Sequence, residues 1–200
     1  MGIRAVVFDI GDVLEIDTEP LPIPDWADRT GLPVEELAAR LGPLWAGGAI
    51  GTSTEAEVLA GISERLGISA AVTDELMAGM WAGYLGRANT ELIDYCRALR
   101  PRYRTGILSN SFVGAREREQ AAYGFAELVD DLVYSHEVGM SKPDPAIYRL
   151  SCARLDVEPH ETIFVDDRAD NVEAATELGM IAILHRDNEQ TIARIDDALR

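Results

Sequence analysis

The sequence has few of the residues that build disulfide frameworks, zinc sites or membrane spans. Its two cysteines, Cys96 and Cys152, lie far apart without CxxC spacing, and its three histidines show no metal-ligand or triad spacing. No apolar run approaches the roughly 18 residues of a transmembrane helix. The apolar stretch that ends at Asp9 is too short for a signal peptide. We therefore expect a cytoplasmic protein with neither a disulfide framework nor a zinc site.

Basic residues are also scarce. The chain has 18 Lys and Arg against 35 Asp and Glu, which gives a net charge of −17. Nucleic acids and anionic membranes are bound by clustered Lys and Arg, so the charge argues against both as partners. An anionic ligand would need local cations and backbone N–H groups to overcome the general field. The sequence does not indicate an oligomeric state.

The 200 residues, 47% of them hydrophobic, suffice for a core with a small insertion. Several apolar runs lack the alternation of half-exposed strands and are typical of buried parallel strands. These runs are Arg4–Phe8, Arg104–Ser109, Leu132–Ser135, Thr162–Val165 and Ile181–Leu184. Helical patterns separate the later ones, at Ala115–Tyr123, Pro145–Leu155 and Val172–Leu178. This alternation predicts an α/β fold with a doubly wound, Rossmann-like parallel sheet.

The stretch from about Thr18 to Arg87 interrupts this rhythm with helical patterns. They cover Val34–Leu41, Glu55–Leu66 and Asp74–Leu85. Thr54 with Glu57 predicts a capping box, and Thr73 is a candidate N-cap. A Pro-rich run, Glu19–Pro24, marks the entry, and the Gly-rich run Trp45–Gly51 is expected to separate the first two helices. We predict an all-helical cap domain at residues 18–87 and a core domain formed by residues 1–17 and 88–200.

Polar side chains stand where the predicted strands end. Asp9 follows the first strand, Ser109 and Asn110 end the second core strand, and the pair Asp166–Asp167 ends a later one. The carboxyl ends of parallel strands share one edge of the sheet, so these residues should converge there. Three acids in one cleft repel one another unless a cation joins them, and their hard oxygens suit Mg²⁺.

Lys142 lies in a loop just before a predicted helix. A lysine, a hydroxyl and an amide beside a metal would complete a cradle for a phosphoryl group. Each residue alone has a plainer interpretation, such as a helix cap or a solvated turn. Together they favour a common site.

The segments that carry these residues resemble the four motifs of the haloacid dehalogenase superfamily. They are Phe8–Leu14 (FDIGDVL), Leu108–Asn110 (LSN), Gly139–Tyr148 (GMSKPDPAIY) and Phe164–Asn171 (FVDDRADN). Their order and spacing match, and with the helical insertion the likeness covers nearly the whole chain. It is nearest to members with a small helical (C1-type) cap, such as sugar-phosphate phosphatases and the phosphatase domain of soluble epoxide hydrolases.

The resemblance implies a Mg²⁺-dependent phosphatase that acts on a small phosphorylated metabolite. Asp9 would attack phosphorus to form an aspartyl-phosphate, Lys142 would neutralise the transferring group, and Ser109 and Asn110 would bind its oxygens. The metal would be held by Asp9, the Gly11 carbonyl, Asp167 and, directly or through water, Asp166. Asn171 would orient the metal's outer ligands.

The sequence departs from the family pattern at Gly11. Many family phosphatases have there an aspartate that protonates the leaving oxygen, and glycine has no group to do so. Asp12 is a possible acid or base. Two alternatives stay open: a 2-haloacid dehalogenase, whose aspartate attacks carbon without a metal, and a weakened member that serves as a binding or regulatory module. The sequence does not name the substrate, and Trp45 could contact it or merely pack.

Overall fold

The computed structural model describes residues 2–16 and 23–200, and within these ranges the chain alternates strands with helices. The strands are β1 Ala5–Phe8, β2 Glu15–Ile16, β3 Arg87–Ala88, β4 Arg104–Ser109, β5 Asp131–Tyr134, β6 Thr162–Asp166 and β7 Ile181–Leu184. The first helices are α1 Ile23–Thr30, α2 Val34–Ala49, α3 Glu55–Leu66, α4 Ala70–Leu85 and α5 Thr90–Leu99. The later ones are α6 Ala115–Tyr123, α7 Phe125–Leu128, α8 Ser135–Val138, α9 Pro145–Arg154, α10 Ala169–Glu177 and α11 Asn188–Ala198. The predicted α/β class is confirmed.

Five strands form a parallel sheet in the order β5-β4-β1-β6-β7. The chain leaves the central strand β1 for one side of the sheet and returns to its other side at β6. This arrangement puts the topological switch point at the carboxyl end of β1, where open α/β sheets bind ligands. Each predicted strand is present, with its bounds shifted by at most one residue.

Both faces of the sheet are covered, which explains the continuous apolar runs. Val6 and Phe8 join the apolar cluster that includes residues of α5 and α11. Their neighbours Ala5 and Val7 point to the other face, into the cluster that includes residues of α9 and α10. Successive side chains of a strand alternate between faces, and all four residues are fully buried.

Helices α1 to α4, which we call the helical segment, lie between β2 and β3 in sequence. These two short strands pair antiparallel at its base. The segment has its own apolar cluster, which also takes in Phe112 and Val113 from the β4–α6 loop, residues 110–114. The capping box of Thr54 and Glu57 is confirmed at the start of α3.

Two expectations for the helical segment are wrong. Helix α4 is capped by Ser69, whose side chain accepts the N–H of Val72, whereas Thr73 lies inside the helix. Most of the Gly-rich run Trp45–Gly51 does not separate two helices, because α2 continues to Ala49 and only the last two residues of the run lie between α2 and α3. The glycines instead permit close packing: a Cβ at Gly48 would stand 2.2 Å from the Phe112 ring.

Part of the predicted entry to the helical segment lies outside the described residues. Of the Pro-rich run Glu19–Pro24, only its last two residues are described, at the start of α1. The predicted boundary between residues 17 and 18 also falls outside. Among the helices described, none has both the length and the apolar character needed to cross a membrane.

A pair of buried carboxyl groups lies near the base of the helical segment. Glu15 is 1% exposed and Glu119 is fully buried. Glu119 accepts a 2.6 Å hydrogen bond from the Tyr134 hydroxyl, and Tyr84 bonds to it as well. Burial, reinforced by the charges of Glu119 and Asp9, raises the pKa of Glu15 to about 9. Burial likewise raises the pKa of Glu119 to about 7, although its bonds to both tyrosines lower it.

We expect the Glu15→Gln variant to reduce the pH dependence of stability. Unfolded glutamate has a pKa of about 4.3, so folding takes up a proton at Glu15 and the free energy of unfolding falls as pH rises toward 9. One such group contributes a slope of about 1.4 kcal/mol per pH unit. The free energy of unfolding, measured with urea between pH 6 and pH 8, should therefore fall less steeply with pH in the variant than in wild type. Glu64→Gln, at an exposed position of α3, controls for the lost carboxyl group. Equal slopes for Glu15→Gln and wild type would contradict the expectation.

Candidate active site

The site is built on the carboxyl ends of the central strands. Asp9 follows β1, Ser109 ends β4 and Asp166 ends β6. The N–H of Asp9 donates to the carbonyl of Val165, which extends the pairing of β1 with β6 by one residue. Three residues distant in sequence are thereby brought to one edge of the sheet, as their positions predict.

Lys142 lies between two carboxylates at the centre of this edge. Its ammonium Nζ is 2.7 Å from Asp9 Oδ1 and 2.7 Å from Asp166 Oδ2. The Lys142 and Asp166 side chains have no exposed surface. Burial raises the pKa of Asp9, Lys142 lowers it, and Asp166 raises it again, which leaves it above the ordinary range. A carboxylate here depends on nearby positive charge to stay ionised.

Asp166 is held by donors on every side. Asn171 Nδ2 lies 3.0 Å from Oδ1 and 3.1 Å from Oδ2, and the N–H of Arg168 donates to Oδ1 over 2.9 Å. With Lys142, these groups account for both oxygens. Asn171, predicted to orient a metal's outer ligands, therefore orients Asp166 in this structure.

Asp167 differs from its neighbour because it is only half-buried. Burial raises its pKa, and the charges of Asp166 and Asp12 raise it further. Ligand atoms of Asp9, Asp166 and Asp167 all lie within 4.8 Å of one another. Since donors occupy the Asp166 oxygens, Asp167 is the more available of the pair.

The donor set fits a hard divalent cation. Three carboxylates face one ammonium group, so the cluster carries an excess of negative charge that a cation would offset. Buried Asn171 Oδ1 has no hydrogen-bond partner, and such an acceptor could take a hydrogen from a metal-bound water. Oxygen ligands and retained water are typical of Mg²⁺ sites.

The loop residues take positions that agree in part with prediction. Ser109 ends β4 at the site edge and is 2% exposed. The carboxamide of Asn110 brackets the backbone of Lys142: Nδ2 donates to its carbonyl and Oδ1 accepts its N–H, both over 2.8 Å. Asn110 thus positions the lysine, a function that the sequence did not reveal, while its expected phosphate contact stays a prediction.

The turn after Asp9 is open on the side of Gly11. The φ angle of Gly11 lies outside the left-handed region, and a Cβ there would meet no atom within 4 Å. The left-handed residue is Asp12, with φ of 54° and an exposed side chain. The metal contact expected of the Gly11 carbonyl and the acid–base function considered for Asp12 remain predictions.

Sequence reasoning missed a second set of contacts beside the site. Ser111 in the β4–α6 loop donates its N–H to Ser135 Oγ, and its own hydroxyl bonds to His136 Nδ1 over 2.7 Å. Ser135 directly follows a buried strand, as Ser109 ends one. That shared position is the signal that could have identified it.

The chain is similar to known hydrolases, in one case over nearly its whole length. The chain is 32% identical to a phosphatase of Mycobacterium tuberculosis over 199 residues, which cover 96% of this chain and 91% of that protein. It is also 36% identical to bifunctional epoxide hydrolase 2 of Sus scrofa over 98 residues. These residues cover 47% of this chain and 18% of that enzyme. A Bacteroides thetaiotaomicron enzyme of the haloacid dehalogenase (HAD) family, solved with magnesium and inorganic phosphate, superimposes with a TM-score of 0.77 at 25% identity. That alignment covers 92% of this chain and 95% of the enzyme.

The family model for haloacid dehalogenase-like hydrolases matches residues 3–179, which include the four motifs and the helical segment. The resemblance drawn from the motifs is confirmed. The chain therefore belongs to the haloacid dehalogenase-like hydrolase family.

Proposed function

We propose that the protein is a Mg²⁺-dependent phosphatase that hydrolyses a small phosphorylated metabolite through an aspartyl-phosphate on Asp9. The observation that carries this proposal is the buried arrangement of Asp9, Lys142 and Asp166, with the half-buried Asp167 beside them. The phosphatase relative in Mycobacterium tuberculosis and the family enzyme solved with magnesium and phosphate support it.

The first half of the reaction uses Asp9 as the nucleophile. Lys142 Nζ and the N–H of Ile10 both contact Oδ1, so Oδ2 is the oxygen left to attack phosphorus. A P–O bond forms to Asp9, the ester P–O bond breaks, and the alkoxide leaves and takes up a proton. Lys142 offsets the charge of the transferring group, and Ser109 donates to its oxygens.

In the second half, water attacks the acyl phosphate, inorganic phosphate leaves, and the Asp9 carboxylate is restored. Asp9, Asp167, the Gly11 carbonyl and, directly or through water, Asp166 would hold Mg²⁺. When bound, the ion offsets the negative charge of the phosphoryl group and the carboxylates.

The charged groups of the site also argue against the alternative function, a 2-haloacid dehalogenase. Attack on carbon needs no metal, yet Asp167 adds a third carboxylate beside Asp9 and Asp166. The excess of negative charge suits binding of a divalent cation, which a phosphatase of this kind needs and a dehalogenase does not. Loss of turnover on chelation, restored by Mg²⁺, is the result that separates phosphatase from dehalogenase.

We assign substrate selection to the helical segment, as the cap domain at residues 18–87. The ring centroid of its Trp45 lies 5.2 Å from that of Phe112. Phe112 is part of the loop that follows Ser109. The segment therefore reaches the edge of the proposed phosphoryl site. Caps of this kind can exclude water and contact the leaving group.

The Asp9→Asn variant should lose turnover of every phosphate ester while remaining folded. An amide cannot form the acyl phosphate, but it keeps the size of the side chain between Lys142 and Ile10. Turnover is to be measured on a panel of metabolite phosphates with Mg²⁺, with far-ultraviolet circular dichroism as the check on folding. Asp94→Asn, at an exposed position of α5, controls for removal of a carboxylate outside the site. Activity near wild type in Asp9→Asn would exclude the covalent mechanism, and no activity in wild type would leave a binding or regulatory module as the better interpretation.

Asp166 and Asp167 should respond differently to amide substitution. Asp167→Asn removes an available ligand, so the Mg²⁺ concentration for half-maximal turnover should rise about tenfold or more, equivalent to about 1.4 kcal/mol of binding. Asp166→Asn removes a charge that offsets buried Lys142, so the free energy of unfolding should fall by about 3 kcal/mol. Mg²⁺ titrations and urea unfolding of both variants test this difference. Unchanged Mg²⁺ titrations in both variants would exclude this metal site.

The Gly11→Asp variant tests the vacant acid position. General acid catalysis is worth roughly 10²–10⁴-fold, and it matters most for an alkoxide that leaves poorly. The backbone of Gly11 admits a side chain without left-handed strain, and the space is open. Turnover of alkyl phosphates should therefore rise more than turnover of p-nitrophenyl phosphate. Gly11→Asn has the same shape but no acidic proton, and an equal gain in that control would exclude general acid catalysis.

A further inference from the structure

One buried hydroxyl links the helical segment to the loop beside the catalytic edge. Ser135 Oγ, at the start of α8, donates to the carbonyl of Ala49 at the end of α2 over 2.8 Å. The same oxygen accepts the N–H of Ser111 over 2.9 Å. Ser135 is 1% exposed. A single side-chain atom therefore bonds to both α2 and the β4–α6 loop.

The loop that Ser135 holds directly follows Ser109, which we assign to the phosphoryl oxygens, and begins with Asn110. Ser111 is two residues after Ser109 and directly follows Asn110, whose carboxamide brackets the backbone of Lys142. Displacement of the Ser111 backbone would move both neighbours. The contacts form a continuous series from the helical segment, through Ser135 and the loop, to the lysine between Asp9 and Asp166.

The packing around this junction is close. The N–H of Val113 donates to the Gly48 carbonyl over 3.1 Å, which forms a second bond between the loop and α2. Gly51 has φ of 68°, and a Cβ there would stand 1.8 Å from the carbonyl oxygen of His136. If the hydroxyl were removed, the buried N–H of Ser111 would lose its partner, which is costly inside a protein.

We propose that Ser135 is a positioning residue for the reaction: it holds the β4–α6 loop against the end of α2 and thereby sets the positions of Ser109 and Lys142. This proposal rests on the phosphatase function proposed above and extends it. Ser135 touches neither the nucleophile nor the carboxylate cluster, so its effect passes through Ser111 and Asn110.

The test compares Ser135→Ala with a matched serine that is distant from the junction. Ser63 in α3 bonds through its hydroxyl to the Leu59 carbonyl and to Thr73 Oγ1, both inside the helical segment. Ser63→Ala therefore also removes a hydroxyl with two hydrogen bonds. Both variants are measured for unfolding free energy, for kcat and KM, and for the inhibition constant of inorganic phosphate, which is a product and has no leaving group to contact the helical segment.

In Ser135→Ala we expect kcat to fall, and the inhibition constant of phosphate to rise, each by about tenfold, the size of effect given by loss of one or two buried hydrogen bonds. Ser63→Ala should leave both constants at wild-type values even where it lowers stability. Ser135→Cys keeps an atom at the Oγ position, although the sulfur is larger and bonds weakly, so it should behave like Ser135→Ala; it also serves if the alanine variant does not fold. Wild-type constants in a folded Ser135→Ala, recovery in Ser135→Cys, or equal losses in Ser63→Ala would each overturn the proposal.

Amide hydrogen exchange separates this proposal from the proposed function. Exchange at Ser111 and Val113 should become faster in Ser135→Ala and stay unchanged in Ser63→Ala, whether or not a substrate is known. If wild type hydrolyses no phosphate ester, the proposed function fails and the exchange result alone decides whether Ser135 holds the loop. If wild type is active and exchange at Ser111 is unchanged in Ser135→Ala, the positioning proposal fails alone.

Discussion

The structure of the site depends on one buried interaction, the ammonium group of Lys142 between the carboxylates of Asp9 and Asp166. A lone charge buried in this way would be very unfavourable, and the two carboxylates without the lysine would repel each other. The surrounding hydrogen bonds keep the three charged groups in position. Asn110 holds the lysine backbone, while Asn171 and the Arg168 N–H hold Asp166. Loss of any one charge leaves the others unbalanced, so binding of a cation or an anion here is coupled to the stability of the fold.

The parallel sheet makes this interaction possible. Because β1 is the central strand and is flanked by β4 and β6, the residues that end these strands meet without a long excursion of the chain. Strand pairing fixes Asp9 and Asp166, whereas Lys142 comes from a loop and needs the carboxamide of Asn110 to hold it. The rigid part of the site therefore carries the negative charge, and the positive charge is held by side-chain contacts. For this reason the short β4–α6 loop, which contains Asn110, is needed to position Lys142.

Much of this arrangement could be predicted from the sequence, because its signals are local. Apolar runs ended by Asp9, Ser109 and Asp166 indicated both the strands and the edge where they converge. The end of α2 could not be predicted in the same way. Its glycines look like a linker when only neighbouring residues are considered, yet Gly48 packs against the Phe112 ring and the helix continues. The burial of Glu15 and Glu119 depends likewise on contacts between distant segments, and so does the bond from Ser135 to Ala49.

If the helical segment selects the substrate, as we propose, the same long-range contacts limit how far specificity and chemistry can vary independently. A cap that touched only the leaving group could change without affecting phosphoryl transfer. Here the end of α2 is bonded to the β4–α6 loop through Gly48 and Ser135, and Trp45 packs on Phe112 in that loop. A substitution at Trp45 would alter the surface offered to a substrate and also the support of the loop that follows Ser109. Selection for a new substrate therefore has to preserve the packing on Phe112, and this constraint favours changes at positions of the helical segment that do not contact the loop.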